Sequence, residues 1–301
     1  MKIYKSTFKD IQSVVVDTGK LTAVFLPTEG GKMASLKSDG KEFLVQNPSE
    51  KFLHLSLDGS FEQTECAGFD DMFPTIDPTE IKEGSRKGLL YNDHGEVSRL
   101  KFDYQIDSDC LVMKTYSSRL NYSYEKRVCV DADGDIKIDY RVDNLSDDEF
   151  NCIWAGHALA VVDDGAEIIT PFSDGDLVDL VSDPTEFYGK KGTRIKFDRE
   201  MLKFSDTPRN CTYKLYFPQM LDGGEVGVKY ADGVTLSMQF SEELKYLGLW
   251  IDDGGFKGYR CVGLEPCTRG YDTVYNAQQM GQYGGIKGNK TLEFSLRLTV
   301  K

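Results

Sequence analysis

The sequence predicts an all-β chain folded as a single large antiparallel β-sandwich over residues 1–301, and three observations predict it. Eight Asp-Gly pairs, beginning at Asp39, Asp58, Asp133, Asp164, Asp174, Asp222, Asp232 and Asp253, punctuate the chain. Asp-Gly is a strong local signal for a hairpin, because glycine accepts a positive φ at no steric cost. The segments between them are apolar or alternating. In order they are SVVVDTGKLTAVFLP (13–27), CLVMKTYSSRLNYSYEKRVCV (110–130), DIKIDYRV (135–142), EVGVKY (225–230), VTLSMQF (234–240) and TLEFSLRLTV (291–300). Helical periodicity is scarce: DREMLKFS (198–205) and PTEFYG (184–189) are the two short candidates. With no linker, repeat or low-complexity stretch, one sandwich with Greek-key or meander connections is the economical arrangement.

A chain of 301 residues with 40% hydrophobic and 12% aromatic content has ample material for a packed core. The net charge of −13 disfavours nucleic acid, whose phosphates require a basic surface. No apolar run approaches the ~18 residues of a membrane helix, and MKIYKSTFKDIQ lacks the apolar core of a signal peptide. A soluble, cytoplasmic protein is expected. Seven cysteines, at 66, 110, 129, 152, 211, 261 and 267, have no zinc-site spacing, and their odd number fits free thiols in a reducing compartment. The sequons at Asn121, Asn144, Asn210 and Asn289 read as accidental. Asp131, Asp133 and Asp135 mimic the start of a calcium loop, but no glutamate follows at position twelve, so the segment reads as a hairpin turn.

The stretch Leu247 to Asn276, LGLWIDDGGFKGYRCVGLEPCTRGYDTVYN, places one acidic residue at the end of an apolar strand. Period-two alternation puts Tyr259, Cys261, Gly263 and Glu265 on one face and Arg260, Val262 and Leu264 on the other. Pro266 then removes a backbone donor. A carboxylate there is either an ion-paired rim residue or a ligand contact. Of the three histidines, His54 in FLHLSL falls opposite the face formed by Leu53, Leu55 and Leu57 and reads as a surface or rim residue with no role. His157 in NCIWAGHALAVV shares its face with Ile153, Ala155, Leu159 and Val161, so its imidazole is buried or points into a cavity. His94 in YNDHGE sits in a turn that does not itself require an imidazole.

Four blocks, GFDDMFPTI (68–76), NDHGEV (92–97), NCIWAGHALAVV (151–162) and GLEPCTRGYD (263–272), occur in this order over most of the chain. Together they resemble the aldose 1-epimerase (galactose mutarotase-like) family. The resemblance implies that family's β-supersandwich and interconversion of the α and β anomers of an aldose by acid–base ring opening, with no cofactor or metal. It assigns Glu265 as base, His157 as acid and His94 as a hydrogen-bonding partner of the sugar. Such groups titrate near neutrality and each contributes on the order of 10²–10⁴-fold.

Four further positions join the candidate site. Asp70 and Asp71 match the family's acidic pair and either accept from sugar hydroxyls or cap their own loop. Trp250 either stacks on a sugar face or fills core. Arg269 either binds a hydroxyl or phosphate or pairs with an acid. The chain departs from close relatives at Asn92 and Ser98, and the hydroxyl-reading segments of the galactose enzymes are not visible, so the sugar is unassigned. Two other functions stay open: a non-catalytic sugar-binding β-sandwich, and an epimerase of hexose phosphates. The latter needs a basic cluster at the pocket mouth, for which Arg86, Lys87 and Arg269 are the candidates.

Overall fold

The computed structural model describes residues 1–56 and 59–301. The chain is 46% strand and 5% helix, and among the described residues all strand pairing is antiparallel apart from isolated bridges. A 12-stranded sheet runs, edge to edge, through Lys2–Phe8, Ile11–Asp17, Thr22–Leu26, Lys32–Ser38, Phe69–Met72, Ala155–Val161, Arg260–Cys267, Tyr246–Asp253, Cys211–Tyr216, Leu177–Ser182 and Thr193–Lys196, with Lys41–Glu42 paired beside Lys32–Ser38. An eight-stranded sheet runs through Glu167–Ile169, Gly224–Lys229, Thr235–Phe240, Thr291–Val300, Ile136–Asn144, Tyr122–Val130, Cys110–Ser117 and Asp103–Asp107. Thr79–Glu80 and Leu90–Tyr91 form a small hairpin.

The pleat sorts each strand's residues between two environments. In the larger sheet Ala158, Ala160, Val262, Leu264, Leu249, Ile251, Tyr213 and Leu215 enter the main core with Val128, Ile138, Tyr140 and Leu296 of the smaller sheet. Trp154 lies fully buried there, its Nε1 donating to Tyr124 Oη at 2.7 Å. The alternate residues turn to the opposite face of the larger sheet, where Leu159 and Cys261 form a separate small cluster with Trp250 and Tyr259. This is the alternation expected from the Glu265 and His157 segments, except that Ile153, ahead of the Ala155–Val161 strand, enters the main core.

The Asp-Gly pairs divide into two kinds. Those at Asp39, Asp133, Asp232 and Asp253 close hairpins between directly paired strands. Those at Asp164, Asp174 and Asp222 sit where the chain crosses from one sheet to the other, so there the pair turns the backbone without pairing the flanking strands. The pair at Asp58 falls partly outside the described residues, as does Leu57 of the FLHLSL pattern. The rest of that pattern reverses the expectation: residues 52–56 are not a strand, Phe52 is buried and Leu53 exposed. His54 is exposed, as expected. A 3₁₀ turn forms at Arg199–Leu202, no helix forms at 184–189, and the one described α-helix, Val274–Gln279, was not anticipated. It follows a Thr273 side chain that accepts the Asn276 N–H, an N-cap that the GYDTVYN segment carries.

The expectation of seven free thiols is corrected. Cys110 and Cys129 stand directly opposite on adjacent strands, with Cα atoms 4.3 Å apart, and form a disulfide. An odd count conceals one pair among five buried free thiols, and the argument from free thiols to a reducing compartment is thereby lost. No helix among the described residues is long and apolar enough to cross a membrane. The 131–135 segment closes a hairpin as expected, and the Arg297 guanidinium pairs with all three of its aspartates at 2.6–3.0 Å.

Candidate active site

The Glu265 strand (Arg260–Cys267) lies between the His157 strand (Ala155–Val161) and the Trp250 strand (Tyr246–Asp253). The pairs Ala155↔Cys267 and Ala158↔Leu264 put His157 opposite Glu265, and directly opposed residues on neighbouring strands have Cβ atoms roughly 5 Å apart. On the other side Gly248 opposes Glu265 and Trp250 opposes Gly263. One strand further, Lys214 opposes Trp250. These side chains share the face away from the main core and line a cavity of about 370 Å³ together with Phe61, His94, Asp77 and Asp272. A volume of that order suits a small ligand.

Loops close the cavity from above. His94 adopts φ 55°, and its Nδ1 lies 2.8 Å from Asp93 Oδ1. An ionised carboxylate only accepts, so Nδ1 carries the proton and Nε2 is left for a ligand. Asp93 also accepts the Phe61 N–H at 3.1 Å, and the Phe61 ring stacks on His94 with centroids 3.9 Å apart. His94 meets His157 edge-on at 5.2 Å. Ile76 O accepts the His94 N–H, while Ile76 and Asp77 N–H both donate to Asp272 O. The 75–77 segment therefore ties the His94 loop to the Asp272 loop.

Glu265 is 1% exposed, and its Oε2 lies 2.8 Å from Lys214 Nζ. The same ammonium lies 2.7 Å from Asp272 Oδ1, which also accepts from Tyr216 Oη at 2.9 Å. Two glycines make room for the carboxylate. A Cβ on Gly248 would lie 3.3 Å from Glu265 Oε2, and one on Gly263 would lie 3.3 Å from Oε1. Burial pushes Glu265 above the usual carboxylate range, with Lys214 opposing and Asp272 adding to the rise. Burial likewise raises Asp77, reinforced by Asp272. Burial pushes His157 well below the usual imidazole value, and the charges of His94, Lys214 and Lys32 act the same way. His157 is thus neutral at rest, and among the described residues its buried Nδ1 has no hydrogen-bond partner.

Glu265, His157, His94 and Trp250 of the sequence-based site come together here. Trp250 is half-buried, 6.4 Å from the His157 ring and edge-on to Phe256. Three other expectations are corrected. Asp71 points to the opposite face, fully buried against Lys126 at 3.0 Å and the hydroxyls of Tyr140 and Tyr124. Asp70, opposite His157 in register, is consumed by an ion pair with buried Lys32 and does not line the cavity. The Arg269 guanidinium is buried on Asn151 Oδ1 and Cys152 O. Nor do Arg86 and Lys87 supply a basic mouth. Arg86 is buried over the Phe150 ring and bonded to Leu120 O and Asn144, and Lys87 does not line the cavity. Sequence reasoning missed Lys214, Asp272, Asp77 and Phe61. Lys214 carried a legible signal: it is a lone cation among apolar neighbours in CTYKLYF, the counterpart of the lone acid in VGLEPC.

The chain has the fold of galactose mutarotase-like proteins over its full length. It is similar to a galactose mutarotase-like protein from Clostridium acetobutylicum, with TM-score 0.69 and 15% identity, covering 100% of this chain and 98% of that one. A candidate aldose 1-epimerase from Escherichia coli matches with TM-score 0.68 and 14% identity, over 100% and 99% of the two chains. A galactose mutarotase related enzyme from Lactobacillus acidophilus matches with TM-score 0.60 and 12% identity, over 100% and 97%. No protein-family model and no curated protein matches the sequence.

Proposed function

We propose that the chain, acting as one unit over residues 1–301, is a mutarotase that interconverts the anomers of an aldose. The observation that carries the reading is the pairing of Glu265 and His157 on adjacent strands at the floor of a sugar-sized cavity, with His94 above them. Glu265 takes the proton from the anomeric hydroxyl as the C1–O5 bond breaks and C1=O1 forms, while His157 delivers a proton to O5. Rotation about C1–C2 turns the other face of the aldehyde to O5, and the two transfers run in reverse. Lys214 at 2.8 Å favours the ionised carboxylate, which keeps Glu265 as the base. The reacting form carries its proton on His157. His94 Nε2 hydrogen-bonds the sugar, Trp250 packs against it, and a sugar hydroxyl satisfies the open Nδ1 of His157.

A neutral aldose fits better than a hexose phosphate. The cavity is lined by four carboxylates, Glu62, Asp77, Glu265 and Asp272, against two lysines, of which Lys214 is already paired and Lys191 is exposed at the rim.

Polarimetry on freshly dissolved α-aldoses tests the reading. Glu265→Gln keeps the shape but removes the base and is expected to lose at least ~10²-fold in the catalysed rate, as is His157→Asn. Retention of activity by folded Glu265→Gln would show the assignment to be wrong. Sugar binding without any acceleration by the wild type would instead favour a carbohydrate-binding sandwich.

A further inference from the structure

We infer that Lys214 is the positioning residue that decides which way the proton moves in this site: it keeps Glu265 ionised with Oε1 toward the sugar, and Asp272 tempers that hold by sharing the same ammonium. The inference rests on the mutarotase reading for its kinetic consequence, and on ion-pair geometry for its cause. Lys214 reaches Glu265 from two strands away, passing beside the Trp250 strand, and is itself only 6% exposed. No other lysine or arginine among the described residues contacts Glu265. The groups facing Glu265 come from every side: Lys214 and Tyr216 from one strand, His157 from another, Cys267 from its own, and His94, Asp77 and Asp272 from the loops.

The balance of these groups explains why the lysine is needed. Asp272 is an acidic neighbour in the same cavity, and together with burial it favours a protonated, acid-form Glu265. A protonated Glu265 facing a neutral His157 has the proton on the wrong partner for abstraction from O1. The ammonium at 2.8 Å from Oε2 opposes that preference. Because the contact engages Oε2, Oε1 is left over Gly263 as the atom that meets the substrate. Asp272 accepts the same ammonium at 2.7 Å and is held by Tyr216 Oη, so the cation is divided between two carboxylates.

Two variants move the site in opposite directions. In Lys214→Met the acid limb of kcat/KM, which reports the free enzyme's base, is expected to move to higher pH by at least about one pH unit, with activity recovering above it. In Asp272→Asn the lysine serves Glu265 alone, and the limb is expected to move to lower pH. Lys214→Arg should keep the limb near its wild-type position. The same ionisation is read without turnover from the carboxylate bands in difference infrared titrations, with Glu265→Gln identifying the signal. If the wild type turns over no aldose yet the infrared midpoint shifts as stated, the control by Lys214 stands and the mutarotase reading falls. Unchanged midpoints in folded Asp272→Asn and Lys214→Met would overturn the inference itself.

Discussion

Two buried lysine–carboxylate clusters sit on opposite faces of the same sheet, and they differ in what they leave unfilled. On the core side, Asp71 meets Lys126 at 3.0 Å with both side chains wholly enclosed, and Tyr140, Tyr124 and Gly31 O complete the hydrogen bonds. On the cavity side, Lys214 is divided between Glu265 and Asp272, and the neighbouring His157 Nδ1 has no described partner. A closed set of partners stabilises one conformation, whereas an open set beside a cavity awaits a ligand. Burial of a charge does not by itself mark a functional residue; burial with bonding capacity left over does.

The largest effect that tests this contrast is on stability. Lys126→Met leaves Asp71 ionisable and enclosed without its cation, and urea unfolding should show a loss of about 3–5 kcal/mol. Adding Asp71→Leu should recover most of it, because removing both partners leaves no stranded charge. If the single substitution costs less than about 1 kcal/mol, the distinction between the clusters collapses. A smaller effect is expected from Gly263→Ala. Its methyl would lie 3.3 Å from Glu265 Oε1 and 3.1 Å from Trp250 Cβ, displacing the carboxylate. A roughly 10-fold fall in kcat/KM is expected, and unaltered kinetics would show that Glu265 tolerates movement.

The smallest effect is a pH dependence of folding from His157, whose folded value lies below the ordinary 6.5. Between those two values the unfolded chain binds the extra proton, so stability present above about pH 6.5 is lost as pH falls toward the folded value, at no more than ~1.4 kcal/mol per pH unit. Urea midpoints at pH 7.5 and 5.5 should show wild type losing about 1 kcal/mol more than His157→Asn. Equal losses would place His157 in a solvated setting.

The same contrast explains what the sequence made legible. Period-two alternation sorted Val262 and Leu264 from Glu265 correctly, because each strand faces one core and one cavity. It put His157 on the face of Leu159 and Val161, buried or in a cavity, and that face is the cavity side. It did not separate Asp70 and Asp71 from Glu265, since the lysines that neutralise the two aspartates, Lys32 and Lys126, lie 38 and 55 residues away and meet them through tertiary structure alone. Arg269 misled similarly: four residues from Glu265 in sequence, it turns to Asn151 and Cys152. The disulfide was hidden in the register of Cys110 against Cys129.

Glu265 and His157, neighbours in space, are separated by more than a hundred residues of chain, and Lys214 and His94 arrive from yet other segments. Local hairpins such as Cys110–Ser117 with Tyr122–Val130 need only short loops to close. The pairing of the His157 and Glu265 strands must close a very long one, and contacts of such sequence separation form slowly. The cavity, which needs several such distant segments in place at once, is therefore expected to be completed late in folding. A refolding chain should regain most of its β-sheet signal before it regains the capacity to bind a sugar, which makes ligand binding a probe of the last step of assembly.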